Sequence, residues 1–100
     1  MSATTDPTIA DLAAAAERDA AAGVKPALEW TPDGRNEDYS WDQSSPAHLN
    51  VIVQGQRASG SWLAYGVGAR KTEMRSELAA QLFAEALLRR ATARLHPRNS

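Results

Sequence analysis

Apolar positions near the N-terminus recur at helical spacing, with Ile9, Leu12, Ala13, Ala16 and Ala20 on one face. The spacing predicts a helix from residue 7 or 8 to about residue 22. Asp6 is its expected N-cap and Pro7 its first residue, while Gly23 ends it and Pro26 keeps it from resuming. Alanine dominates the face and buries little area, so this helix needs a neighbour to be stable.

The period then falls to two. Residues 27–31 read as a short strand with Leu28 and Trp30 on one face. Pro32-Asp33-Gly34 is a turn signal, because proline sets φ and glycine permits positive φ. Tyr39 and Trp41 alternate in the polar stretch that follows and suggest a brief strand. Residues 48–54 form a clearer strand, with Leu49, Val51 and Val53 on one face and Asn50, Ile52 and Gln54 on the other. A connector of hairpin size spans 55–60, and 61–67 make the next strand, with Leu63, Tyr65 and Val67 opposite Trp62, Ala64 and Gly66. Trp30 and Tyr65 are expected in the core and Trp41 at the surface.

A last helix is expected over 72–95, stopped by Pro97. It carries two apolar stripes. Met74, Leu78 and Leu82, with Ala79 and Phe83, form the first; Ala84, Leu87, Leu88, Ala91 and Leu95 form the second, nearly opposite. The first stripe is expected to cover the sheet. The second must face the first helix or another subunit, which makes Leu87, Leu88, Ala91 and Leu95 candidate partner-interface residues. The expected fold class is α+β: α-β-β-β-α, a three-stranded antiparallel sheet with helices on one face. Residues 1–7 read as a flexible N-terminus, 8–96 as a single domain and 97–100 as a tail.

Composition narrows the function. Hydrophobic residues make up 43% and charged residues 23% of 100 residues, which suits one globular domain. The absence of cysteine excludes disulfides and thiolate metal sites. No apolar run approaches the roughly 18 residues of a membrane helix, and the N-terminus lacks the basic start and apolar stretch of a signal peptide. A cytoplasmic location is expected. The wealth of alanine and arginine suggests a small bacterial or phage protein. His48 and His96 are the only histidines and show no metal-ligand spacing. No serine has a triad-like context, no glycine run is a phosphate loop, and no carboxylate pair stands out as acid and base. The chain is expected to bind rather than catalyse, with no cofactor.

Charge is unevenly placed. Residues 1–42 hold nine acids and three bases, a net of −6; residues 43–100 hold eight bases and three acids, a net of +5. Either the C-terminal half meets an anionic partner, or the two halves neutralise each other within the fold or head to tail between copies. Arg70, Lys71 and Arg75 fall at the expected start of the last helix, where the dipole is positive and cations are unfavourable unless an anion binds. Glu73 and Glu77 are their alternative partners. Arg89, Arg90, Arg94 and Arg98 extend the basic stretch, or complement the helix C-terminus.

Val51-Ile52-Val53-Gln54-Gly55, then Tyr65-Gly66-Val67-Gly68, then Lys71-Thr72-Glu73-Met74-Arg75 followed by Leu78-Ala79, make a run that resembles the double-stranded-RNA-binding domain over roughly residues 8–90. Thr72 stands where that family has a second lysine, and Met74 where it has a small alanine. The resemblance implies RNA binding, with Lys71 and Arg75 as phosphate contacts. His48 and Arg57 on flanking loops are candidate secondary contacts beside Arg70. The expected function is a non-enzymatic module binding structured RNA or another nucleic acid through the basic start of the C-terminal helix. The alternative is a protein-interaction module, a homodimeric regulatory or phage accessory protein.

Overall fold

The structure is a computed structural model. It describes the backbone of residues 7–36, 40–45, 48–56 and 61–95, and the side chains of 7–31, 51–55 and 61–93. In chain order the elements are α1 (Ile9–Ala21), β1 (Thr31–Asn36), β2 (Ser40–Ser45), β3 (His48–Gln56), β4 (Ser61–Gly66), β5 (Ala69–Met74) and α2 (Glu77–Leu95).

Helix α1 starts at Ile9, one or two residues later than the expected residue 7 or 8. Thr8 is the N-cap, its Oγ1 accepting the Asp11 N–H at 3.0 Å while the Asp11 carboxylate accepts the Thr8 N–H at 3.2 Å. This reciprocal box satisfies two orphan donors and takes the role expected of Asp6, which lies outside the described residues. The helix closes as expected at Gly23. With φ at 81°, Gly23 donates to the Ala20 carbonyl and Val24 to that of Asp19, a Schellman pair.

The expected order of helix, antiparallel strands and helix is present, and the fold is α+β. Helix α2 lies on one face of β3, β4 and β5. Val51, Val53, Ala64 and Met74 point into that layer and join Phe83, Leu87 and the alanines of α2 in one core. The antiparallel meander then runs on through β2 and β1, giving five strands in the order β1-β2-β3-β4-β5. Among the described residues neither helix packs against β1 or β2, so the first hairpin extends the sheet beyond the helical layer.

Three segments differ from the sequence reading. Residues 27–30 are not a strand, because the N–H groups of Ala27 and Leu28 find a carboxylate of α2 instead of a neighbouring strand. Pro32-Asp33-Gly34 lies inside β1 rather than in a turn, and the register with β2 shifts between Pro32 and Asn36 to absorb it. Residues 69–74 are the edge strand β5, not the first turn of a helix. The helix begins after Ser76, whose Oγ accepts the Ala79 N–H at 3.1 Å. Met74 therefore reaches the core from a strand, and only its spacing to Leu78 and Leu82 imitates a helical stripe.

β4 and β5 are joined by a two-residue turn, Val67-Gly68, with φ of 43° and 88°. Two positive φ values are the mark of the tight hairpin turn that follows strand twist. Glycine suits it, whereas valine, branched at Cβ, is strained there.

Helix α1 packs mainly on α2 and touches only β5 of the sheet. Its Ile9, Leu12, Ala13 and Ala20 are partly buried against the core and Ala16 fully so, the face its spacing indicates. The two stripes of α2 are thereby explained: one side meets the sheet, and the other meets α1 and the segment that follows it. Among the described residues no helix is long and apolar enough to cross a membrane.

Candidate nucleic-acid interface

Arg70 and Lys71 are exposed on β5, and Arg75 is exposed in the turn between β5 and α2. None of the three sits in the first turn of a helix, so the expected dipole argument for an anion there does not hold. The first turn of α2 instead carries Glu77, the favourable sign. The mistaken placement has a simple cause: ARKTEM has no apolar alternation, because an edge strand with one exposed face is polar by nature.

β5 gains one residue relative to β4 here. Ala64 pairs with Thr72 and Gly66 with Ala69, so Arg70 and Lys71 together oppose Tyr65. Such a bulge re-aims side chains and twists the edge. The Lys71 Nζ lies 5.2 Å from the centre of the Tyr65 ring and 3.5 Å from Gln54 Oε1. Tyr65 is thus half-buried on the sheet face opposite α2 and not in the core, contrary to expectation. The cation on its ring contributes about 0.5–1 kcal/mol at such an exposed site. On the same face Glu73 accepts from Ser61 Oγ at 2.8 Å.

Arg75 is tied down through its backbone. Its N–H donates to Glu17 Oε2 at 2.8 Å, which fastens the β5–α2 turn to α1. Its side chain is exposed at the end of the basic edge.

The other expected contacts are not gathered with these. His48 opens β3 opposite Ser45, six residues from Gln54 and so roughly 20 Å from it at strand rise. The His48 side chain, and all of Arg57, lie outside the described residues. Arg90 donates to the Pro7 carbonyl at 3.0 Å and so holds the start of α1.

Of the expected partner-interface stripe, Leu87 is spent inside the chain. Leu87 is 0% exposed. Leu88 packs on the core and Ala91 is half-buried. Leu95 ends α2, and its side chain lies outside the described residues. Leu87 is therefore not a surface for a second subunit, because α1 and the sheet already enclose α2.

The sequence reading missed Glu85. It is buried at 3% exposure on α2, and its carboxylate accepts from Ala27 N–H, Leu28 N–H and Trp30 Nε1–H, each at 2.9 Å. A lone acid inside the apolar run 82–88 was the available signal, since buried carboxylates need donors. Glu85 lies at the wall of a cleft of about 270 Å³ between α1 and α2. Its oxygens hold the segment 27–30 against α2. Among the described residues no three His, Asp or Glu side chains gather where they would hold a metal ion.

No protein-family model matches this chain, and neither a curated protein nor a solved structure matches it.

Proposed function

We propose that this protein is a non-enzymatic binding module that contacts nucleic acid along the basic edge of its sheet. The supporting observation is the set Arg70, Lys71 and Arg75: three cations within six residues, all exposed, on an edge strand and the turn that follows it. Cations on a protruding edge can track a phosphate backbone, and Tyr65 beneath Lys71 offers a ring for a base if the lysine swings outward. The reading keeps the contacts implied by the resemblance to the double-stranded-RNA-binding domain and moves them from a helix start to a strand edge.

The test is binding of the purified chain to labelled duplex RNA, single-stranded RNA and duplex DNA across a salt series. Two or three phosphate contacts give a log–log slope of roughly −2 to −3. Arg70→Glu with Lys71→Glu abolishes binding while leaving the fold intact, because both side chains are exposed. Absence of binding to all three probes at low salt retires the reading.

A further inference from the structure

Strand alternation divides β3 and β4 between two faces of the sheet. Val51, Val53 and Ala64 face α2 and belong to the core. Ile52, Leu63 and Tyr65 take the other face, with Ile52 opposite Tyr65 and Gln54 opposite Leu63 in the register. All three apolar side chains are half-buried and stand outside the core cluster. At the β5 edge of this face, residues 70–75 carry three bases and one acid. The Lys71 ammonium reaches inward from that edge, 5.2 Å from the centre of the Tyr65 ring and 3.5 Å from Gln54 Oε1, the outer limit of a hydrogen bond.

We infer, resting on the nucleic-acid reading of this edge, that the ligand is a single strand: one base stacks on Tyr65 and the neighbouring phosphates lie along Arg70 and Lys71. A ring set into a sheet is covered by an unpaired base, whereas a duplex keeps its bases turned inward between two backbones. The reach of the cations points the same way. Arg70 to Arg75 spans at most roughly 17 Å at strand rise, while recognition of double-stranded RNA by its shape takes contacts over about 16 base pairs and two successive grooves. Arg89 and Arg90 do not lengthen the footprint, because they sit on the helix that covers the opposite face.

Lys71 changes partners when the strand arrives. Its two contacts in the free protein are to neutral groups, and a phosphate oxygen is the stronger acceptor because it is charged. The ammonium swings out to the phosphate, and the base takes its place over the ring. Gln54 then turns its amide, both donor and acceptor, to the edge of that base. Glu73 is the one acid of the stretch. It lies opposite Leu63 and accepts from Ser61 Oγ at 2.8 Å. Its charge repels phosphate, which keeps the backbone of the ligand on the Arg70–Lys71 side of Tyr65.

The experiment is fluorescence anisotropy on the purified full chain at about 50 mM salt. The probe is a labelled RNA of about 20 nucleotides without self-pairing, presented alone or annealed to its complement. The single strand binds at least about tenfold tighter than the duplex. Tyr65→Leu weakens the single strand about ten- to a hundredfold and leaves the duplex unchanged, while Tyr65→Phe, which keeps the ring, matches the wild type. The same RNA carrying 4-thiouridine, irradiated on the wild-type chain, cross-links to the peptide that holds Tyr65, a readout that misfolding of a variant does not touch. A wild type that binds duplex as tightly as single strand, Tyr65→Leu at wild-type affinity, or a cross-link confined to other peptides overturns the single-strand assignment. If Arg70→Glu with Lys71→Glu still abolishes binding in those cases, the basic edge stands as the site of a different nucleic acid. A wild type that binds neither probe overturns the nucleic-acid reading itself, and the single strand with it.

Discussion

The indole of Trp30 donates its Nε1–H to the carboxylate of Glu85 at 2.9 Å, from a segment 55 residues earlier in the chain. The same carboxylate holds the N–H groups of Ala27 and Leu28. One residue of α2 thus fastens the connection between α1 and β1, where no strand pairing does so.

Glu85→Ala leaves three donors without their acceptor. Hydrogen bonds to a charged group contribute about 1.5–3 kcal/mol each, and partial access of water to these donors softens the loss to about 3 kcal/mol in total. Glu85→Gln keeps one oxygen and loses about half of that. Urea denaturation gives the values, and near-UV circular dichroism reports whether Trp30 has left its site. If both variants match the wild type, the carboxylate is not the fastener.

Val67 carries the left-handed backbone of the β4–β5 turn, at a cost of about 1–2 kcal/mol for an L-residue. It also packs partly against the core, so some apolar contact is lost on replacement. Val67→Asn is expected to gain up to about 1 kcal/mol, or roughly 4–8 °C in Tm for a domain of this size. Gly68→Ala is expected to lose about 1 kcal/mol from backbone strain alone, since a Cβ there meets nothing within 4 Å. Thermal melts that rank Gly68→Ala above wild type would contradict the turn geometry.

These contrasts show what was readable in the residues. The α1 face and strands β3 and β4 were visible because burial on one side imposes a period. Strand β5 was not, because Arg70, Lys71, Thr72 and Glu73 lie on a solvated edge where no period is enforced. Ser76 followed by Glu77 marks the true helix start, but the spacing of Met74 to Leu78 and Leu82 hid it. Residues 27–30 looked like a strand because Leu28 and Trp30 alternate, yet the chain bends at Ala27 and Leu28 to bring their N–H groups to Glu85. Arg70, Lys71 and Arg75 were singled out for their charge, and their setting on a strand edge and the turn after it was not foreseen. The Tyr65–Lys71 contact depends on a bulge that no local pattern announces.

Glu17 accepts the Arg75 N–H across the gap between α1 and the β5–α2 turn. Glu17→Ala is expected to destabilise the fold by about 1–2 kcal/mol, and Glu17→Gln by less, since an amide oxygen still accepts. Chemical denaturation of both variants checks this, and equal losses would show that charge rather than the hydrogen bond matters.

Leu87 is fully enclosed, so Leu87→Ala should cost about 2–5 kcal/mol by leaving a cavity. Its sedimentation at high salt should equal that of the wild type. A variant of unchanged stability but altered assembly would return Leu87 to an interface role.

The face that α1 turns to the core is built largely from Ala13, Ala16 and Ala20, and only Ala16 is fully buried. Helix α2, by contrast, is enclosed from Leu82 to Leu87. The two helices therefore belong to different tiers of protection. In hydrogen exchange, the amides of α1 are expected to open by a shallow, sub-global fluctuation, while those of α2 and β3 wait for global unfolding. When α1 lifts, Glu17 leaves Arg75 and Arg90 releases Pro7, so the core of α2 meets water first from the N-terminal side of the molecule.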